Sequence, residues 1–412
     1  MDAVAEQDRW RVRIRDADGA VLGAGILLGT RYVLTCAHVL LRSDAHDLGA
    51  VNTVPAIDVI IDFVGLRPVR SARARVAHGG WVPPNDADGG DIALLELDAP
   101  QPIGSTTPLR RLSVTRGRAV YTCGFPRGLE NGMWVDAKLS GRCGPGGEWV
   151  QMDATSAGGP VRAGFSGAPV FDTVTQCVIG IVVGRYTDEE SGLSYLLPVE
   201  TIVRHLPRVG TWVGGAKAAD PSLVERLGSQ VLDDDLARKI VSWMERHRAT
   251  ENIQIIITGN PDAPGSATVR RTISLADREQ RPSSADPLMT QAPQGTVPSP
   301  GSIDLAVDVT GKTPAEVTRR IAERAGIPVD HPTEPTAQLW DSLPPMTIVV
   351  AGIDDAEQPE ALLTGVLEPL AKRGHRLLLT FRQPLSPSLD VARSLTDSAP
   401  LFSDPDGRTP TP

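Results

Sequence analysis

The chain of 412 residues is long enough for two or three domains with full hydrophobic cores. Its formal charge of −9 argues against an electrostatic nucleic-acid footprint, and no apolar stretch reaches the length that a bilayer span needs. Neither nucleic acid nor a membrane is therefore expected as a partner. The opening residues, Met1-Asp2-Ala3-Val4-Ala5-Glu6-Gln7-Asp8, are acidic and lack the basic and apolar regions of a secretory signal. Cys36, Cys123, Cys143 and Cys177 form no C-x-x-C pair. Free thiols, a cytoplasmic location and no zinc site are the expectations. Arginine greatly outnumbers lysine, which reads as the coding bias of a GC-rich bacterial genome.

Residues 9–210 read as short alternating strands punctuated by glycine and proline, a pattern of barrels or sandwiches. Trp10, Val12 and Ile14 alternate with arginines before the turn Asp16-Ala17-Asp18-Gly19. Val33-Leu34-Thr35-Cys36-Ala37-His38-Val39 is an apolar run ending in a histidine, and further strands are predicted at 57–63 and 69–77. Gly90-Asp91-Ile92-Ala93-Leu94-Leu95 opens another strand with an aspartate, followed by strands at 119–124 and 178–183. Between those last two lies Gly164-Phe165-Ser166-Gly167-Ala168-Pro169-Val170. It reads as a glycine-flanked turn that lifts one hydroxyl clear of the backbone. Taken singly, Ser166 and Asp91 read as turn residues and His38 as a core histidine; it is their joint order that points to chemistry. A closing helix is predicted over 198–206, with Pro198 near its first turn.

After a glycine-containing joint at 210–219, Leu223, Leu227, Val231, Leu236, Ile240 and Trp243 recur at near-helical spacing, predicting a helical linker over 211–250. The β-branched strand at 253–257 leads into a loop placed where a phosphate-binding loop belongs. Against G-x-x-x-x-G-K-[ST], only Gly259 and Ser266 match. Pro264 and Gly265 replace the second glycine and the lysine, which removes an N–H and the ammonium that would reach the phosphates. Residues 278–302, rich in Pro, Ser, Gln and Thr, read as a disordered or loop insertion. A strand follows at 303–309. Then Thr313-Pro314-Ala315-Glu316 reads as a capping box for a helix that turns Val317, Ile321 and Ala325 inward and stops at Gly326. The strand from 347 runs toward Asp354 and Asp355, carboxylates suited to magnesium, and a later strand covers 376–382. The predicted domains are 1–210, the linker 211–250, an α/β domain at 251–385 and a flexible tail at 386–412.

The three motifs, in the order His, Asp, Ser, resemble those of the chymotrypsin/trypsin superfamily of serine proteases. That resemblance implies two packed six-stranded β-barrels with a cleft between them. The fold class expected is thus an all-β double barrel followed by an α/β P-loop-like domain. The resemblance further implies Ser166 as nucleophile, His38 as general base and then acid, and Asp91 as the group fixing its tautomer. The N–H groups of Gly164 and Ser166 would form the oxyanion hole. Phe165 stands where digestive trypsins carry the aspartate of their activation switch, so that switch cannot operate. Pro160 falls at the base of the primary specificity pocket, with no carboxylate to attract Arg or Lys; small or medium apolar side chains are expected there. Val183 replaces a serine that supports the triad aspartate. The C-terminal half resembles the signal-transduction (STAND-type) NTPase module in degenerate form.

The expected function is a serine endopeptidase acting on a protein or peptide, with no metal or organic cofactor. A degenerate NTPase-like domain would regulate it or bind a regulatory protein partner, and nucleotide hydrolysis is not expected. The competing readings are a non-catalytic peptide-binding scaffold and a nucleotide-dependent signalling switch.

Overall fold

The computed structural model describes residues 10–41, 53–66, 68–101, 109–129, 131–155, 161–184, 193–224, 231–246, 252–327 and 337–402. The chain divides into two units, Met1–Gly214 and Gly215–Pro412. In the first unit, β1 (Arg11–Arg15), β2 (Val21–Leu28), β3 (Tyr32–Thr35), β4 (Val59–Phe63), β5 (Arg70–Val82) and β6 (Ile92–Leu97) close a barrel in the order β1-β2-β3-β6-β5-β4. Strand alternation explains the inside: Val12 and Ile14 are fully buried, while Arg13 and Arg15 between them both reach Asp62, at 2.8 and 2.6 Å. Burial alone would raise the Asp62 carboxyl, but hydrogen bonds from Arg15, Ser71 and Arg13 outweigh it and hold the group below its ordinary range.

After the two-residue β7 (Leu109–Arg110), the second barrel is built from β8 (Ala119–Gly124), β9 (Met133–Cys143), β10 (Trp149–Ala154), β11 (Pro169–Asp172), β12 (Val178–Val183) and β13 (Leu193–Pro198). Their order is β11-β8-β9-β10-β13-β12, and pairing of β11 with β12 closes the ring. Helix α1 (Val199–His205) begins directly after Pro198, whose fixed φ suits a helix start. One apolar cluster unites first-barrel residues such as Leu34 and Leu94 with Ile181 and Val183 of the second and with Ile202 and Leu206 at α1. The two barrels therefore share a core, and their relative placement is fixed by burial. The short β14 (Val213–Gly214) pairs with β7 and ends the unit.

The second unit is a parallel sheet of β15 (Ile253–Ile257), β16 (Leu305–Asp308), β17 (Thr347–Ala351), β18 (Arg376–Phe381) and β19 (Leu401–Phe402), ordered β16-β17-β18-β15-β19. Its strands are mostly apolar because both faces are covered. Helices α2 (Asp234–Glu245) and α3 (Pro264–Ala276) meet Ile256, Ala306, Val349 and Leu378 on one face. Helix α4 (Pro314–Ala325) packs with Ile255, Val307, Val350 and Leu379 on the other. The capping box of Thr313 and Glu316 is formed, and Gly326 ends α4 in a left-handed conformation with φ 79°.

Three expectations about this half are corrected. Among the described residues of the linker expected over 211–250, Pro221–Leu223 forms a single 3-10 turn and the α-helix begins at Asp234, where Asp233 accepts the N–H of Leu236 and caps it. Val231 lies 70% exposed outside that helix, and α2 packs on the sheet rather than linking domains. Residues 278–302 follow a defined path with one helical turn, Pro287–Thr290. Backbone carbonyls secure it: Arg281 donates to those of Leu275 and Pro298, and the Gly301 N–H reaches the Ala276 oxygen at 2.6 Å. Proline-rich composition excluded regular structure but not fixed packing. The tail expected from 386 forms the helix Pro387–Ser394, with Leu389 and Ala392 fully buried, and then β19 against β15. Residues 403–412 of that tail lie outside the described residues.

Candidate active site

His38 lies in a single helical turn, Ala37–Leu40, that leaves the end of β3. That corner is fixed by the Thr35 hydroxyl, which donates to the Ala24 carbonyl at 2.7 Å. Asp91 precedes β6 and is fully buried. Its φ of 66° is left-handed, a conformation that a non-glycine residue holds only when its surroundings fix it. Those surroundings include His38 itself. The His38 backbone N–H donates to Asp91 Oδ1 at 2.9 Å, and Nδ1 of the ring lies 2.6 Å from Oδ2. With Nδ1–H facing a carboxylate, Nε2 carries the lone pair. Ser166 Oγ lies 2.8 Å from that nitrogen. Two residues come from the first barrel and one from the second.

The turn that presents Ser166 is gripped on both sides. Its carbonyl accepts the Ala24 N–H at 2.8 Å, and the Gly167 N–H reaches the Val182 carbonyl at 2.9 Å. Gly164 has φ 98°, and a Cβ there would stand 2.3 Å from the Phe125 oxygen. The Gly164 carbonyl accepts the Phe125 N–H at 3.0 Å, which pins the peptide that follows it. Among the described residues, the N–H groups of Gly164 and Ser166 have no hydrogen-bond partner. Phe165 is fully buried against Gly124, where a Cβ would lie 2.3 Å from the ring. Phe165 is thus an apolar plug, consistent with the absence of a charged group at this position.

Sequence reasoning missed Gly184. A Cβ there would lie 2.5 Å from Ser166 Oγ, so this glycine leaves the room that the hydroxyl occupies. The available signal was a glycine directly after the apolar run 178–183. Val183 itself is fully buried in the shared core, and Pro160 lies outside the described residues. Cys36 Sγ, a His38 ring nitrogen and an Asp91 oxygen gather within 4.8 Å. Burial, and then the charge of Asp91, push the Cys36 thiol well above its ordinary pKa, and it donates to the Val182 carbonyl at 3.2 Å. A protonated thiol and an engaged imidazole make a poor donor set for a metal.

At the carboxyl edge of the parallel sheet, the predicted nucleotide residues bond to neighbouring loop residues. Gly259 has φ 77°, and Ser266 Oγ donates to the Asn260 carbonyl at 2.8 Å. The Ala263 N–H takes the same carbonyl at 3.0 Å, and the Asp262 N–H takes Asn260 Oδ1 at 3.1 Å. Asp354 accepts the backbone N–H groups of Arg382 and Gln383, each at 2.8 Å. Asp355 pairs with the Arg382 guanidinium. The Ser266 hydroxyl, Asp354 Oδ2 and the Asp355 carboxylate are thus engaged within the chain, while Asp354 Oδ1 has no hydrogen-bond partner among the described residues.

A family model described as a trypsin-like peptidase domain matches residues 23–181. The N-terminal half carries a trypsin-like peptidase domain. The match spans His38, Asp91 and Ser166. Among solved structures, the active form of the Rv3671c protease from M. tuberculosis is 20% identical, with 50% of this chain and 83% of that chain covered and a TM-score of 0.36. Deg5 is 18% identical, over 51% of this chain and 96% of its own, with a TM-score of 0.36. The MamO protease domain from Magnetospirillum magneticum is 16% identical, over 49% and 97%, with a TM-score of 0.33. No curated protein matches the sequence.

Proposed function

We propose that the peptidase domain is a serine endopeptidase that hydrolyses peptide bonds through His38, Asp91 and Ser166. The observation that carries this reading is the continuous path from Asp91 Oδ2 through the His38 ring to Ser166 Oγ, with links of 2.6 and 2.8 Å. A serine hydroxyl is a weak nucleophile until a base takes its proton. Here Nε2 takes it as Oγ attacks the carbonyl carbon, and Asp91 stabilises the imidazolium. His38 then returns the proton to the leaving amine. Water repeats the sequence to release the acyl group. The N–H groups of Gly164 and Ser166, unpaired among the described residues, would receive the developing oxyanion.

Labelling with a fluorophosphonate tests the reading: the parent chain acquires the probe on Ser166, and Ser166→Ala does not. An unlabelled parent would turn the reading over to its rival, a peptide-binding scaffold. That rival draws on Val183, which offers no hydroxyl at its position. The α/β unit is proposed as a regulatory module or a docking site for a regulatory protein partner. In support, it carries cores of its own, and the Ser266 hydroxyl of its nucleotide-like loop is bonded to the Asn260 carbonyl. The four free thiols favour a cytoplasmic setting.

A further inference from the structure

The second group of charged residues near the triad has no part in the scheme above. Glu148, at the β9–β10 hairpin of the second barrel, has a side chain only 3% exposed and pairs with both Arg204 and His205 of α1. His205 Nε2 lies 2.8 Å from Glu148 Oε2 and 3.1 Å from the Asp88 carbonyl oxygen. Both of those oxygens accept, so an Nε2–H can serve either of them, whereas the third group at this nitrogen, the Arg204 guanidinium, can only donate. The Arg204 guanidinium comes within 2.7 Å of the same nitrogen while binding the carboxylate. Asp88 is three residues before Asp91, in the loop whose Asn85 and Gly89 exchange backbone hydrogen bonds of 2.9 Å each way. The hairpin tip also presses on this loop directly. A Cβ on Gly146 would stand 2.6 Å from the Ala87 oxygen, and one on Gly89 would stand 3.1 Å from Glu148 Oε2.

The arrangement has a geometric consequence. His38 and Asp91 sit on the first barrel and Ser166 on the second, so the proton path crosses between barrels. Asp91 also holds an unfavourable left-handed φ of 66°, which local sequence does not enforce. We propose that Glu148, Arg204 and His205 form an inter-barrel latch that positions Asp91 by gripping its loop at the Asp88 carbonyl. These are positioning residues, and the proposal rests on the triad reading given above. The grip originates on α1, which follows the last strand of the second barrel, so displacement of that helix would loosen Asp91 without touching any reacting group.

The test uses the full chain and a fluorophosphonate probe, with the labelling rate constant followed against pH, and the titration of His38 read separately by NMR on histidine-labelled protein. Losing the aligned carboxylate destabilises the imidazolium, so its pKa falls and the acid limb of labelling moves to lower pH. His205→Ala is expected to slow labelling about tenfold. The acid limb and the NMR midpoint of His38 should both move down by about half a pH unit or more. His205→Gln, which keeps an N–H donor for the Asp88 carbonyl, should recover most of both. Glu148→Gln, which keeps the shape, should move both in the same direction as His205→Ala and serves if that variant does not fold. A slower rate with limb and midpoint unmoved would mean only general loosening and would overturn the latch. An unlabelled parent in which the His38 midpoint still moves would sink the enzyme reading and leave the latch standing.

Discussion

Substituting Gly184 by alanine should silence the nucleophile while leaving the barrels folded. The added Cβ would stand 2.5 Å from Ser166 Oγ, whereas ordinary contact requires about 3.5 Å. Either the strand or the hydroxyl must give about 1 Å, and the two are unequal opponents. The strand leads out of β12, whose residues are fully buried in the barrel core, while Oγ is the end of a rotatable side chain. The hydroxyl therefore turns away, and its 2.8 Å contact with His38 Nε2 is broken. A misplacement of about 1 Å typically lowers the rate about 100-fold, or about 2.7 kcal/mol of activation free energy. Stability should change by about 0.5 kcal/mol or less, because no buried contact is lost. The assay pairs the fluorophosphonate labelling rate with the urea midpoint of the same preparation. Labelling at the parental rate would refute the reasoning, since it would place Ser166 Oγ somewhere other than against Gly184. A fall in both quantities would mean that the strand, not the hydroxyl, had moved.

Asp91→Asn should leave the fold intact and lower the labelling rate about 10⁴-fold, since the amide favours the wrong imidazole tautomer; rates within tenfold of the parent would contradict the assigned role. Gly164→Ala adds a Cβ 2.3 Å from the Phe125 oxygen at φ 98° and should lower stability by about 2 kcal/mol or more in urea titration. In the α/β unit, burial and then the Arg373 charge push His375 from 6.5 down to about 4. The unfolded chain therefore binds this proton first, so stability is full above pH 6.5 and falls as pH drops toward about 4. The loss should reach about 3 kcal/mol, and His375→Asn should flatten that part of the denaturation profile. Mg·ATP should give no saturable heat in calorimetric titration, since the loop after β15 lacks the phosphate-binding lysine; micromolar binding would contradict that.

What could be read from the chain alone were features whose cause is local. The period-2 burial of Val12 and Ile14, the β12 strand at 178–183, and the Thr313–Glu316 capping box are each written in neighbouring residues. The order of the His38, Asp91 and Ser166 motifs pointed to a common site, since each motif carries its own turn glycine or strand edge. Composition misled where tertiary contacts override it. Residues 386–402 look like a loose polar tail, yet Leu389 and Ala392 fill the core and β19 extends the sheet. Residues 278–302 lack periodicity, yet Arg281 ties them to the rest of the unit.

Local sequence carried the strand-rich half, the parallel α/β half and the three polar side chains that the fold brings together, because alternation, glycine turns and helix caps act over a few residues. Only the tertiary structure decided that Nε2 meets Oγ at 2.8 Å, that Gly184 makes room for that hydroxyl, and that Glu148 and His205 reach the loop of Asp91. Those contacts join residues separated by tens to more than a hundred positions, and they depend on how two barrels share one core. No local propensity encodes a distance of that kind.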